Sequence, residues 1–281
     1  MHHCEIDWLR RKAGQIVRND DQAFLNCKVL GREVVLVKSG DVIGATGTLL
    51  ETAPQTVLFC NVHMLMLSQQ DTVLAEAMDH ADLVFADGVP VSWLQSRLFG
   101  QEAGTVRGYE VMLQLCRKAA GEGKRVGLFG SSPATLNALE QRLKVRFPGL
   151  EMAYTEAPPY VDGELITDPD TLEKINSAGL AYLFISLGCP KQEKWIYHNA
   201  EKLNCSLLGV GAAFEWLAGI EPMPPRWMKK AGLGWLHRLL RNPGRMWHRY
   251  LVYNPAFAVA AAGALWAKRR RGRAGTEGHG T

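Results

Sequence analysis

From Thr56 onward the apolar positions fall into a regular rhythm. TVLFCN (56–61) is a continuous apolar run closed by a polar residue, and 62–81 follows with helical spacing. ADLVFADG (81–88) is a second such run, followed by helical VPVSWLQSRLF and a further helix over 108–121. KRVGLFG (124–130) is a third. SSPATLNALEQRLKVRF then reads as a helix, with Ser131 or Ser132 as its cap and Pro133 at its first position. A weaker strand over 152–158 and a helix in DPDTLEKINSAG come next. LAYLFISLG (180–188), a helix opened by Pro190 and SLLGVG (206–211) complete the series. Short runs that are apolar throughout, rather than alternating, are strands buried on both faces. Interleaved with helices they predict an α/β fold, with a mostly parallel sheet and helices on both of its faces.

The two ends depart from this rhythm. In residues 1–50 only Val34–Val37 is a clear apolar run, and Ser39-Gly40-Asp41 reads as a turn, so this part is expected to be an N-terminal extension with a first strand or hairpin. After Gly219 comes a proline-rich break, EPMPPRW, and then a segment both basic and aromatic that holds four of the eight tryptophans. It predicts one or two amphipathic helices outside the sheet. Three parts follow: 1–50, a core over 51–221, and a basic appendage over 222–281.

Charge sharpens that division. Of 32 Lys and Arg and 28 Asp and Glu, the appendage holds twelve basic residues and one acid, Glu277. An acidic body thus carries a strongly basic tail, which points to a polyanionic partner, nucleic acid or an anionic membrane. The composition, 47% hydrophobic and 21% charged, excludes disordered, collagenous and disulfide-scaffold classes. The six cysteines lack CxxC pairs and His at ligand spacing, as expected of small buried hydrophobes in a reducing compartment. The longest apolar run, Pro255–Ala267, has thirteen residues. A span needs about twenty, so the expectation is a cytosolic protein with surface attachment to a membrane.

Open α/β sheets bind ligands at the carboxyl ends of their strands. Those ends carry Asn61, Asp87-Gly88, and the loops Gly130-Ser131-Ser132 and Gly188–Gln192. Both loops run into helix N-termini, whose unpaired amides suit a phosphate. There is no GxGxxG or Walker A sequence, which weakens dinucleotide and ATP readings. Asp87, after an apolar strand, is either a desolvated base or a turn-forming Asp-Gly. Arg107, at a helix start, is either an anion clamp or a surface residue. Glu193 is favoured in a first helical turn by the helix dipole without any function. His63 and His80 lack metal-ligand partners and read as structural.

Taken in order, FCN (59–61), ADG (86–88), VRGYEVM (106–112), LFGSSP (128–133), LGCPKQEKWI (187–196) and GVGAAFEWLAG (209–219) make the chain resemble the WecG/TagA/CpsF glycosyltransferases over roughly 40–255. The resemblance implies a Rossmann-like, GT-E-like core whose C-terminal appendage meets the membrane. It implies inverting transfer of a sugar from a UDP-sugar to a polyprenyl-diphosphate-linked saccharide, without metal or cofactor, in cell-surface or exopolysaccharide biosynthesis. It places catalytic roles on Asp87, Arg107 and Gln192, and substrate binding on Asn61, Gly88, Gly130, Ser131, Pro190 and Glu215. For the appendage it implies membrane or acceptor contacts, at Arg226, Lys229, Arg238, Arg241, Arg245 and Arg249. Many members have Thr where this chain has Phe59, and the first forty residues have no counterpart in the family core. The implied setting is peripheral, on the inner face of the cell membrane, with no nucleic acid. Two other readings stay open: a nucleic-acid-binding protein that uses the basic tail, and a nicotinamide-dependent oxidoreductase.

Overall fold

The computed structural model describes residues 25–37, 54–225, 227–228 and 231–277. Strands β1 (Leu25–Val29) and β2 (Arg32–Leu36) form an antiparallel hairpin through Leu30 and Gly31, both at positive φ. A turn of that hand matches the twist of its flanking strands. The expected turn at Ser39-Gly40-Asp41 lies outside the described residues.

Next come β3 (Thr56–Cys60), α1 (Val62–Leu67), α2 (Thr72–His80), β4 (Leu83–Ala86), α3 (Val89–Phe99) and α4 (Gly108–Glu122). They are followed by β5 (Arg125–Gly130), α5 (Pro133–Arg146), β6 (Glu151–Glu156), α6 (Pro169–Ser177), β7 (Leu180–Ser186) and α7 (Lys191–Asn199). β8 (Ser206–Gly209), α8 (Ala213–Ala218), α9 (Gly234–Arg241) and α10 (Pro243–Glu277) complete the described chain. The eight strands form one sheet in the order β1-β2-β4-β3-β8-β7-β5-β6, parallel except for β1 with β2. The α/β, mostly parallel architecture read from the pattern is the one observed.

Continuous apolar strands are needed because both faces are covered. Side chains of neighbouring strand residues point to opposite faces. Leu58, Val84 and Ile185 therefore enter one core with Trp195 of α7, while Phe59, Phe85 and Phe184 enter the other with Leu115 of α4 and Phe214 of α8. Chain order runs from β3 outward to β4, then crosses to β5 and works back through β7 to β8 beside β3. The crossing opens a crevice at the carboxyl ends of β3, β4, β7 and β8.

Two expectations are corrected. The single helix over 62–81 is two, because Ser68 Oγ turns back onto Leu65 O at 2.9 Å and Asp71 Oδ1 caps the next helix by accepting from Leu74 N at 3.0 Å. The short apolar run at Pro255 understated the tail. α10 continues through Pro255, and Met246–Arg271 is long and apolar enough to cross a membrane by length and composition. One side of that stretch packs on the body. Met246, Tyr250, Phe257 and Ala261 are buried, and Lys268 Nζ donates to Arg97 O at 2.9 Å. Its outer side exposes Trp247, Leu251, Val252, Val259 and Trp266.

Candidate active site

Each strand end delivers one group to the crevice. After β3, Asn61 caps α1: its Oδ1 accepts from Met64 N at 3.2 Å and also from Arg249 Nη2 of α10 at 3.2 Å. After β4, the Asp87 amide donates to Cys60 O at 2.8 Å, which locks the two strand ends together. Gly88 at φ 109 then turns the chain into α3. Val106 N donates to Ala86 O at 2.9 Å. That bond brings Arg107, the residue before α4, to the same edge, where its Nη1 lies 3.4 Å from Glu110 Oε1.

On the far side, Gly130 ends β5 and Ser131 follows it. A Cβ on Gly130 would stand 2.3 Å from Ser186 O, so only glycine lets β5 and β7 approach here. Ser131, at φ 60, holds Glu215 of α8 through an Oγ–Oε1 bond of 3.0 Å. Ser132, rather than Ser131, caps α5, accepting from Thr135 N at 3.1 Å. Pro190 starts α7, and Gln192 N donates to Gly188 O at 3.0 Å.

Two chambers meet at this edge. The larger, about 550 Å³, is polar; Ser131, Lys191, Gln192, Glu193, Glu215 and Glu221 are among its walls. The smaller, about 160 Å³, is mostly apolar, with Val62, Val89, Met223, Trp235 and Tyr250 among its walls. Asn61, His63, Asp87, Arg107, Arg238 and Arg249 line both. Phe59 lines the polar chamber and closes against the N-terminus of α4, where a Cβ on Gly108 would meet its ring at 3.2 Å.

Burial pushes the Asp87 carboxyl up to about 6, while Arg107, Arg238 and Arg249 pull against that rise. A carboxylate so placed is a competent base near neutral pH. Burial pushes Glu193 up to about 7, and burial together with Arg249 and His248 holds His63 down at about 3, hence neutral. Burial also lowers Arg249.

The structure thus gathers Asn61, Asp87, Arg107, Ser131, Gln192 and Glu215 around one chamber, with Gly88 in the wall of the other. Gly130 and Pro190 shape the backbone and line neither. Of the appendage cations, Arg238 and Arg249 reach the chambers, whereas Arg241 is exposed and lines neither. Arg226 and Lys229 lie outside the described residues, as does the side chain of Arg245. Sequence reasoning missed two residues. His63, structural by sequence alone, lines both chambers; its only signal is its place two residues after Asn61. Glu193, which the helix dipole alone accounts for in the sequence, is 1% exposed inside the site. Among the described residues, no group of three or more His, Cys, Asp or Glu is placed to hold a metal ion.

Fold and chamber together define a class: an α/β enzyme with a carboxylate and several arginines at the carboxyl edge of a parallel sheet. The profile of the glycosyl transferase WecG/TagA/CpsF family matches residues 27–272. The chain belongs to that family. Among its relatives are N-acetylglucosaminyldiphosphoundecaprenol N-acetyl-β-D-mannosaminyltransferases of three bacteria. That of Bacillus spizizenii is 30% identical over 176 residues, 62% of this chain and 66% of the relative. Those of Bacillus subtilis and Staphylococcus aureus (strain MW2) are 25% and 27% identical, over 71% and 67% of this chain and 75% and 70% of theirs. Membership makes the chain a glycosyltransferase and displaces the nucleic-acid and nicotinamide readings.

Proposed function

We propose that this chain transfers a sugar, with inversion, from a UDP-sugar to a polyprenyl-diphosphate-linked saccharide at the cytoplasmic membrane face, in the assembly of a cell-surface polymer. The relatives' names favour an N-acetylmannosamine-type sugar and an N-acetylglucosaminyl-diphospho-polyprenol acceptor. One observation carries the reading. Asp87 stands in the wall common to a polar chamber of nucleotide-sugar size and an apolar one that opens under the appendage.

In this reading the donor lies in the polar chamber and the acceptor head enters from the apolar side. The acceptor hydroxyl attacks the anomeric carbon while the bond from that carbon to UDP breaks. Its proton passes to Asp87, and the electron pair of the broken bond leaves with UDP. The transition state resembles an oxocarbenium ion. Arg107, with the positive N-terminal end of α7, offsets the negative charge growing on the leaving diphosphate. Arg238 and Arg249 face the acceptor diphosphate. Residues 51–221 act as the catalytic core, 222–281 as the membrane-associating appendage, and 1–50 as an extension of which residues 25–36 add a hairpin to the sheet.

The appendage suits a membrane surface. Its exposed tryptophans favour headgroup level, and Lys268–Arg271 favour an anionic leaflet. A helix docked along the body, as α10 is, meets the bilayer side-on.

The test is Asp87→Asn in the full chain, assayed by UDP release with a short-chain prenyl-diphosphate acceptor. We expect kcat to fall by about a thousandfold or more, as for removal of a general base, with UDP affinity retained. Turnover at the wild-type rate would remove Asp87 from the base role.

A further inference from the structure

Gln192 and Glu193 are adjacent, 5% and 1% exposed, and both line the polar chamber. Gln192 Nε2 donates to Glu193 Oε1 at 2.8 Å and to Gly209 O at 3.0 Å. A carboxamide has two N–H hydrogens, and both are spent on these two oxygens. The opposite amide orientation would set Gln192 Oε1 against the Gly209 carbonyl oxygen, which carries no hydrogen to donate. The orientation is therefore dictated by its partners. What remains is Gln192 Oε1, buried and without a hydrogen-bond partner.

Two glycines of the chamber wall border this amide. A Cβ on Gly211 would stand 3.5 Å from Oε1, and one on Gly209 would stand 3.2 Å from Nε2. Two backbone positions without side chains thus border the amide. A buried acceptor left unpartnered by the protein is costly unless a ligand or a water supplies a donor. Phosphate oxygens at neutral pH are acceptors and meet this atom with repulsion; a hydroxyl or an amide N–H matches it.

We infer that Glu193 is a positioning residue that locks Gln192 as an acceptor, so that Gln192 Oε1 reads a hydroxyl or amide N–H on the transferred sugar and does not hold phosphate. The inference rests on the sugar-transfer reading above and narrows it. It assigns Gln192 to the sugar, and it gives Glu193 a task that helix-dipole stabilisation does not.

The experiment measures affinity for UDP and for UDP-N-acetylhexosamines by calorimetry, with KM and kcat, on the full chain. The variants are Gln192→Met, Glu193→Met and Glu193→Gln. Wild type should bind one UDP-sugar more tightly than UDP. Gln192→Met and Glu193→Met should each raise KM for that sugar about tenfold or more, and leave UDP affinity within about twofold. Retained UDP binding also reports that the variants are folded. Glu193→Gln keeps an acceptor for Gln192 Nε2 and should recover most of what Glu193→Met loses. Deoxyfluoro donors, one hydroxyl replaced at a time, complete the test, because fluorine cannot donate. At the position that is read, wild type should reject the fluoro analogue as strongly as the deoxy one, and Gln192→Met should not distinguish it from the parent.

Equal loss of UDP and UDP-sugar affinity in both Met variants would overturn the inference, as would tolerance of fluorine at every position together with replacement of the N-acetyl group. A wild-type chain that neither binds nor turns over any UDP-sugar would overturn the sugar-transfer reading, and this inference with it.

Discussion

Asp87 shows what burying a single carboxyl does to stability. Its ordinary value is 3.8, and burial lifts it to about 6 in the folded chain. The folded state therefore holds this proton more tightly than the unfolded state does, and losing it weakens the fold. That penalty is absent below about pH 4, grows as pH rises through 6, and is constant beyond. Asp87→Asn should accordingly stabilise the fold by about 3 kcal/mol at pH 8 but not at pH 4, and raise the melting temperature only at the higher pH. Thermal denaturation at the two pH values measures it, and equal shifts at both would point to packing rather than ionisation. At this scale the sequence was partly legible. An acid after an apolar strand and before glycine is visible in FADG. The three arginines that keep it ionisable, Arg107, Arg238 and Arg249, stand 20, 151 and 162 positions further along the chain, and no local pattern joins them to it.

Elements were the most legible level, because burial on both sheet faces forces continuous apolar runs. The strand series and the proline-led starts of α5 and α6 follow from local chemistry alone. The breaks were less visible. Nothing in the apolar spacing of 62–81 marks the turn at Ser68–Asp71, which side-chain capping makes, and nothing in the proline at 255 announces that α10 continues through it. Gly130 is the sharpest element-level constraint. A Cβ here would stand 2.3 Å from Ser186 O, so Gly130→Ala must push β5 and β7 apart or abandon φ 111. We expect a loss of about 3 kcal/mol or more in urea unfolding, in the range of overpacked and strained core substitutions. Weakened nucleotide binding should accompany it, since Ser131 rides on the same turn.

For the whole molecule, charge and shape act together. The appendage is strongly basic, and α10 turns an apolar outer side, Leu251, Val252, Val259 and Trp266, away from the body. If this side meets the bilayer, Leu251→Asp with Val259→Asp should abolish flotation with anionic vesicles and leave the melting temperature unchanged, because both side chains are exposed. Binding of the wild-type chain should weaken as salt rises, each Lys or Arg near the leaflet contributing about 1 kcal/mol at low ionic strength. Retention of the double variant on vesicles would remove α10 from the membrane contact. What the order of residues determined unaided was the α/β class, the acidic body with its basic tail, and the set of groups at the strand ends. Those properties follow from hydrophobic period, charge and turn chemistry within a few residues. Only the tertiary structure decided which of those groups share a chamber, which arginines of the appendage reach it, and that Gln192 is held as an acceptor by Glu193 and Gly209. Such outcomes depend on contacts such as Arg249 with Asn61, which the folded sheet and the returning helix bring together across 188 positions of chain.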